Sequence, residues 1–127
     1  MIKILVLDDE KGLCEQLHDF FACRGYRVFG VTSGKEALEV IDKENPQILF
    51  LDIMMPGVDG LDVLKKAKEK NDKVKVIMLT ALRDEDKRIR AKELGADEYL
   101  VKPFDYSEIE RLVIHMVNEV IREGGEE

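Results

Sequence analysis

The sequence has no apolar run near the ~18 residues that a membrane helix needs, only two cysteines, and no surplus of positive charge. Each shortage excludes something. The stretch Met1-Ile2-Lys3-Ile4-Leu5-Val6-Leu7 is apolar for too few residues to act as a secretion signal before Asp8 interrupts it. Cys14 and Cys23 are nine positions apart in what reads as one helix and its exit. That spacing is beyond disulfide reach, and no second Cys/His pair offers zinc spacing. Both read as reduced packing residues, which suits a cytoplasmic compartment and a soluble chain. A net charge of -7 is the reverse of the basic footprint that direct nucleic-acid binding wants, and mainly favours solubility. Gly34-Lys35 is not a phosphate-binding P-loop, since Phe29 stands where the first glycine of that motif belongs and Glu36 where its Ser/Thr belongs. His18 and His115 fall on expected helices far from any acidic cluster and read as surface or packing residues.

What is present is a regular alternation. At 127 residues the chain is expected to form one domain over 1–122, with 123–127 as a flexible C-terminal tail. Short apolar runs at Ile2–Leu7, Arg27–Val31, Ile48–Leu51, Val74–Leu79 and Glu98–Val101 read as strands, the first and third of them apolar enough to be buried on both faces. Between them lie helical patterns. Leu13, Leu17, Phe20 and Phe21 recur at helical spacing until Gly25, and Ser33 with Glu36 makes a capping-box pattern before Ala37, Leu38 and Ile41. Asn45-Pro46 breaks the chain, Met55-Pro56-Gly57 is a turn, and Leu61, Leu64 and Ala67 mark the next helix. A charged helix spans Asp84–Leu94, with Asp84–Arg88 and Asp86–Arg90 spaced for ion pairs and only Ile89, Ala91 and Leu94 as a thin inner face. The last helix runs from Tyr106 to Arg122, apolar at 109, 112, 113, 116, 117, 120 and 121. Strand–helix units without hairpin turns imply a doubly wound α/β fold, a parallel sheet covered on both sides.

The polar residues fall at one end of the strands. Asp8 and Asp9 follow the first strand, Asp52 the third, Thr80 the fourth and Lys102 the fifth. With right-handed crossovers these positions share one sheet edge. Ligands bind there, where the strand order reverses. In the order 2-1-3-4-5, Asp8, Asp9 and Asp52 converge. Two carboxylates about 4 Å apart repel by about 4 kcal/mol at an effective dielectric near ~20, so such a cluster calls for a cation. Magnesium suits it, preferring a few carboxylate oxygens and leaving room for phosphate, and Lys102 can add a point charge. An aspartate beside a metal, a lysine and a hydroxyl has the parts for phosphoryl transfer. Taken singly, Asp8-Asp9-Glu10 could instead cap the first helix and Asp52 could be a turn residue. The lysines at 65, 66, 68, 70, 73 and 75 could be a docking patch, but a solvated helix face is the plainer reading.

The segments Val6-Leu7-Asp8-Asp9-Glu10, Leu51 to Gly60, Leu79-Thr80-Ala81 and Lys102-Pro103-Phe104 resemble the response-regulator receiver domain of two-component signalling, in order and over nearly the whole chain. The resemblance implies a flavodoxin-like, five-stranded (βα)5 sandwich and a phosphorylation-activated switch. Asp52 would be the phosphoacceptor, helped by Lys102 and Thr80. Magnesium, with manganese an acceptable substitute, would be held by Asp8, Asp9, Asp52 and the backbone carbonyl of Met54. Tyr99 would turn inward as Thr80 moves, shifting the face built from the fourth helix, fifth strand and fifth helix. The Lys102–Pro103 peptide would be cis. The phosphodonor would be a sensor histidine kinase, a histidine phosphotransfer protein or a small acyl phosphate. Met54 and Leu82 would crowd the path of the hydrolytic water and slow dephosphorylation. Such a domain catalyses only its own phosphotransfer and dephosphorylation, and it is not otherwise an enzyme.

Three alternatives stay open. The chain could be the receiver piece of a DNA-binding regulator. Members of that class dimerise through ion pairs resembling Arg88, Asp97 and Glu108, but Leu112 stands where they carry an arginine. A monomer when unphosphorylated is the expectation here, with pairing on phosphorylation left open. A phosphohydrolase with an aspartate nucleophile would place that residue after the first strand with an acid two positions on, whereas Met54 follows Asp52 at that spacing. A nucleotide- or flavin-binding module would need a Gly/Ser/Thr-rich loop where Asp8-Asp9-Glu10 is acidic.

Overall fold

The computed structural model describes residues 1–53, 55, 57–81 and 85–124. Five strands alternate with five helices: β1 (Lys3–Leu7), α1 (Lys11–Ala22), β2 (Arg27–Val31), α2 (Gly34–Glu44), β3 (Ile48–Asp52), α3 (Gly60–Lys70), β4 (Lys75–Thr80), α4 (Glu85–Glu93), β5 (Glu98–Val101) and α5 (Tyr106–Arg122). The strands form one parallel sheet in the order β2-β1-β3-β4-β5. The expected strand and helix boundaries hold to within a residue or two.

The period-two alternation of strand side chains divides the core in two. Ile4, Val6, Ile48, Phe50, Ile77 and Leu79 face α1 and α5, where the Phe21 and Phe50 rings lie 5.1 Å apart between centroids. Leu5, Leu7, Leu49, Leu51, Val76 and Met78 face the residues of α2, α3 and α4. The central strands β3 and β4 are buried throughout, while the edges β2 and β5 are partly exposed. Continuous hydrophobicity in the middle and mixed character at the edges therefore follow from position in the sheet.

Local chemistry fixes the helix ends. Ser33 accepts from the Glu36 N–H, and Asp59 and Asp105 each form a capping box with Asp62 and Glu108. Asn45, before Pro46, closes α2 in the left-handed region at φ 50°. Lys70 Nζ donates to the carbonyls of Ile41 and Asp42, adding a cation at the same helix end.

Four expectations need correction. Arg90 pairs with Glu93 at 3.6 Å, not with Asp86, and Asp84 lies outside the described residues. Ile89 is 49% exposed and does not face inward; Ala91 is the buried residue of α4, with Leu94 packed just beyond it. The lysines of 65–75 are not a uniformly solvated face. Lys68 binds the Val74 carbonyl and Asp97, Lys70 caps α2, and the buried Lys75 pairs with Glu123 at 3.0 Å. Ile121, expected on the inner face of α5, is 54% exposed, because only Ile109, Val113, Met116 and Val120 project straight at the sheet.

Candidate functional site

The carboxyl ends of β1, β3, β4 and β5 bring the polar residues together. Asp8 leaves β1, Asp52 and Thr80 end β3 and β4, and Lys102 follows β5. Main-chain bonds lock this edge: Asp8 N–H donates to Val31, Ile53 N–H to Leu79, and Lys102 N–H to the Thr80 carbonyl at 2.7 Å. One carboxylate oxygen from each of Asp8, Asp9 and Asp52 lies within 4.8 Å of the others. Asp8 and Asp52 are buried and Asp9 is exposed, so the cluster opens to solvent on the Asp9 side.

Asp8 is fully buried. Its Oδ1 accepts the Glu10 N–H at 2.9 Å. Its Oδ2 lies 2.6 Å from Lys102 Nζ, yet it receives no well-directed hydrogen bond. The Lys102 ammonium also reaches Asp52 Oδ2 at 3.3 Å and Glu10 Oε1 at 3.1 Å. Burial is the largest single influence on Lys102 and disfavours its charge. The contacts with Asp8 and Glu10, and the charges of Asp52 and Asp8, together outweigh it and hold the ammonium well above its ordinary range. Three acids thus share one lysine, with Asp9 beside them, and a buried carboxylate oxygen is left without a directed donor. Such all-oxygen, under-compensated surroundings fit a hard divalent cation such as magnesium.

Helix capping does not account for the acidic run. Glu10 stands at the N-cap of α1 without a side-chain cap bond, and its carboxylate goes to Lys102 instead. Glu10 had no assigned role in the sequence reading, and its only signal there was adjacency to Asp8 and Asp9. Gly60 was likewise unassigned. A Cβ there would fall 1.9 Å from the Asp52 carbonyl oxygen, so only glycine lets α3 start directly behind Asp52.

Thr80 is buried at the end of β4. Tyr99 lies on the neighbouring strand, paired with Met78, while Thr80 pairs with Val101. The side chains of Thr80 and Tyr99 therefore belong to the same face of the sheet, the one covered by α4. Tyr99 is half-buried. The Lys102–Pro103 peptide is cis. Met54 and Leu82 lie outside the described residues. Cys14 and Cys23 are both free thiols; burial, with the nearby Asp8 charge, pushes the Cys14 thiol up. Among the described residues, no helix is long and apolar enough to cross a membrane.

Comparison with known proteins agrees with this geometry. The family model of the response regulator receiver domain matches residues 4–114. The chain is 42% identical over 118 residues to the probable transcriptional regulator ycf27 of Porphyridium aerugineum, covering 93% of this chain but 49% of that protein. It is 39% identical over 107 residues to sporulation initiation phosphotransferase F of Bacillus subtilis (strain 168), covering 84% and 86%. The chain thus spans about half the length of the first relative and most of the second. Among solved structures, the response regulator TrrA of Thermotoga maritima in complex with Mg2+ and BeF superposes with a TM-score of 0.82 at 34% identity, over 91% of this chain and 99% of that one.

Proposed function

Because the chain belongs to the response regulator receiver domain family, we propose that it is a phosphorylation-activated switch whose acceptor is Asp52. The observation that carries this reading is the convergence of Asp8, Asp9 and Asp52 with the Lys102 ammonium at one strand-end edge. An Asp52 oxygen forms a bond to phosphorus as the bond from phosphorus to the donor's leaving group breaks. Lys102, already against Asp52, neutralises the incoming phosphoryl oxygens, and Thr80 turns its hydroxyl to one of them. Asp8, Asp9 and Asp52 would hold magnesium or manganese, with the Met54 carbonyl as the further expected ligand. When bound, the ion supplies positive charge against the phosphoryl oxygens.

The donor would be a sensor histidine kinase or a histidine phosphotransfer protein in the cytoplasm. The output would pass through Thr80 and Tyr99 to the face made by α4, β5 and α5. Beyond its own phosphorylation and dephosphorylation the chain would turn over no substrate. Incubation with generic phosphate esters is expected to release no phosphate.

The test is intact mass after incubation with acetyl phosphate and magnesium. One added phosphoryl group, absent with chelator and in Asp52→Asn, is expected. No adduct, together with no binding of beryllofluoride, would leave the cluster a structural one and the reading wrong.

A second reading follows from the coverage of about half of the ycf27 relative: the same switch as the receiver part of a longer, DNA-binding regulator. Two of the three residues offered for dimer ion pairs are already used within the chain. Asp97 accepts the Val76 N–H at 2.8 Å and pairs with Lys68, while Glu108 accepts the Asp105 N–H. That favours a monomer before phosphorylation. Sedimentation with and without beryllofluoride measures whether phosphorylation changes it.

A further inference from the structure

The Arg88 guanidinium lies over the Tyr99 ring, 5.3 Å from its centroid. The two side chains line a cavity of about 210 Å³ between α4 and β5, together with Ala91 and Ala96. We propose that Arg88 is a positioning residue for the switch, a cationic latch that holds the Tyr99 ring on the α4 side of the cavity in the resting state. The inference rests on the proposed inward turn of Tyr99.

The geometry argues for a latch in three steps. Tyr99 and Thr80 share a sheet face on adjacent strands, two positions apart in register. Thr80 lies one strand across and two register positions along from Tyr99, about 7 Å along the strand at the usual rise, so a ring that moves toward it leaves the spot beneath the Arg88 guanidinium. The attraction between a cation and a ring face falls off beyond about 6 Å, so the contact cannot survive that movement. It stabilises one ring position only, which is the condition for shifting an equilibrium. Finally, α4 is the element least able to hold its position by packing. Ala91 is its buried residue, and Arg88 and Ile89 are exposed. A contact of modest strength weighs more there than it would on a helix with a full apolar face. When the ring leaves, the exposed guanidinium is released from it, so an event inside the sheet edge becomes a change in where that charge can sit on the surface of α4.

Loss of the contact should raise the population of the inward ring by roughly two- to five-fold, the range of an exposed cation–π interaction. Arg88→Ala is expected to strengthen beryllofluoride binding, at saturating magnesium, by that factor. Arg88→Lys, which keeps a cation, should return most of the way to the starting protein, and Arg88→Gln should behave like Arg88→Ala. In a Tyr99→Leu background, Arg88→Ala should change nothing, because the ring it acts through is gone. Independently of any phosphoryl mimic, the Tyr99 ring resonances of unphosphorylated Arg88→Ala should move toward those of the beryllofluoride-bound form. Only three tyrosines need be assigned.

Equal beryllofluoride affinities for the original protein and Arg88→Ala, or an equal gain with Tyr99 absent, would overturn the latch. Unmoved ring resonances in Arg88→Ala would overturn it also where beryllofluoride does not bind at all, an outcome that separately removes the phosphoacceptor reading.

Discussion

Lys102 is the residue on which the charge balance of the candidate site turns. It faces Asp8, Asp52 and Glu10 within 3.3 Å and is only 12% exposed. Lys102→Met therefore leaves two buried carboxylates facing each other, and should cost about 3 kcal/mol in metal-free urea unfolding. Asp52→Asn has the opposite sign. It removes one charge from the cluster, and the ~4 kcal/mol of repulsion per close pair is largely offset by the weakened Lys102 contact, leaving a gain on the order of 1 kcal/mol. A stabilised Asp52→Asn protein that no longer accepts phosphate would place the acid there for chemistry and not for stability. The pH dependence follows from the raised Lys102 pKa. A group held above its ordinary value contributes fully below that value, about 10.4, and its contribution is lost only as pH rises through the higher folded value. The Lys102 contribution should thus be flat across the neutral range and fade only in strong alkali. The acids and the lysine were legible in the sequence because strand ends are easy to place. The roles of Glu10 and Gly60 were not, since a salt bridge spanning 92 positions and a carbonyl 1.9 Å from an absent Cβ are facts of three-dimensional approach.

Among the elements, α4 differs from the rest. The other helices bury three or four residues each, whereas α4 buries Ala91 alone. Its amides should exchange hydrogen faster than those of α1 or α5, because local opening there exposes little apolar surface. The helix caps behave differently. Ser33→Ala removes the bond to the Glu36 N–H and should cost about 1 kcal/mol. Asp105 is held below its ordinary value chiefly by the Ser107 hydroxyl, then by the Glu108 N–H. Its contribution is therefore complete above the unfolded value near ~3.9 and is lost as pH falls through the lower folded value. Acid titration of Asp105→Ala should lack that component of the wild-type loss. Periodicity and caps made β2, β5 and α5 readable to the residue. The side chains of α4 were not, because a helix that is charged on every side gives no phase, and spacing alone cannot choose between Asp86–Arg90 and the observed Arg90–Glu93. The same limit hid the lysines, whose reach to carbonyls of other elements depends on how α2, α3 and β4 pack.

On the scale of the whole molecule, charge is handled in opposite ways at the two edges of the sheet. At the carboxyl edge Asp8, Glu10 and Asp52 share Lys102, Asp9 lies beside them, and the excess is negative. At the amino edge the charges are matched: Lys3 with Glu44 at 3.2 Å, and the buried Lys75 with Glu123 at 3.0 Å. β4 joins the two, with Lys75 at its start and Thr80 at its end, about 17 Å apart at the usual rise of a strand. A cation should bind the unbalanced edge and stabilise the fold by linkage, by about 2.7 kcal/mol at a hundred-fold excess over its Kd. Glu123→Ala should act only at the balanced edge. It leaves the Lys75 ammonium buried without its partner, lowering stability by about 2 kcal/mol, while the acidic cluster stays as it was. Sites this far apart with no shared contacts add independently. Thermal melts of both proteins, in chelator and in saturating magnesium, should therefore show the same magnesium increment on two different baselines, and the rate of labelling by acetyl phosphate should be unchanged. A smaller increment in Glu123→Ala would mean that the end of α5 and the acidic cluster are coupled through β4, and that the two edges are not separate in function.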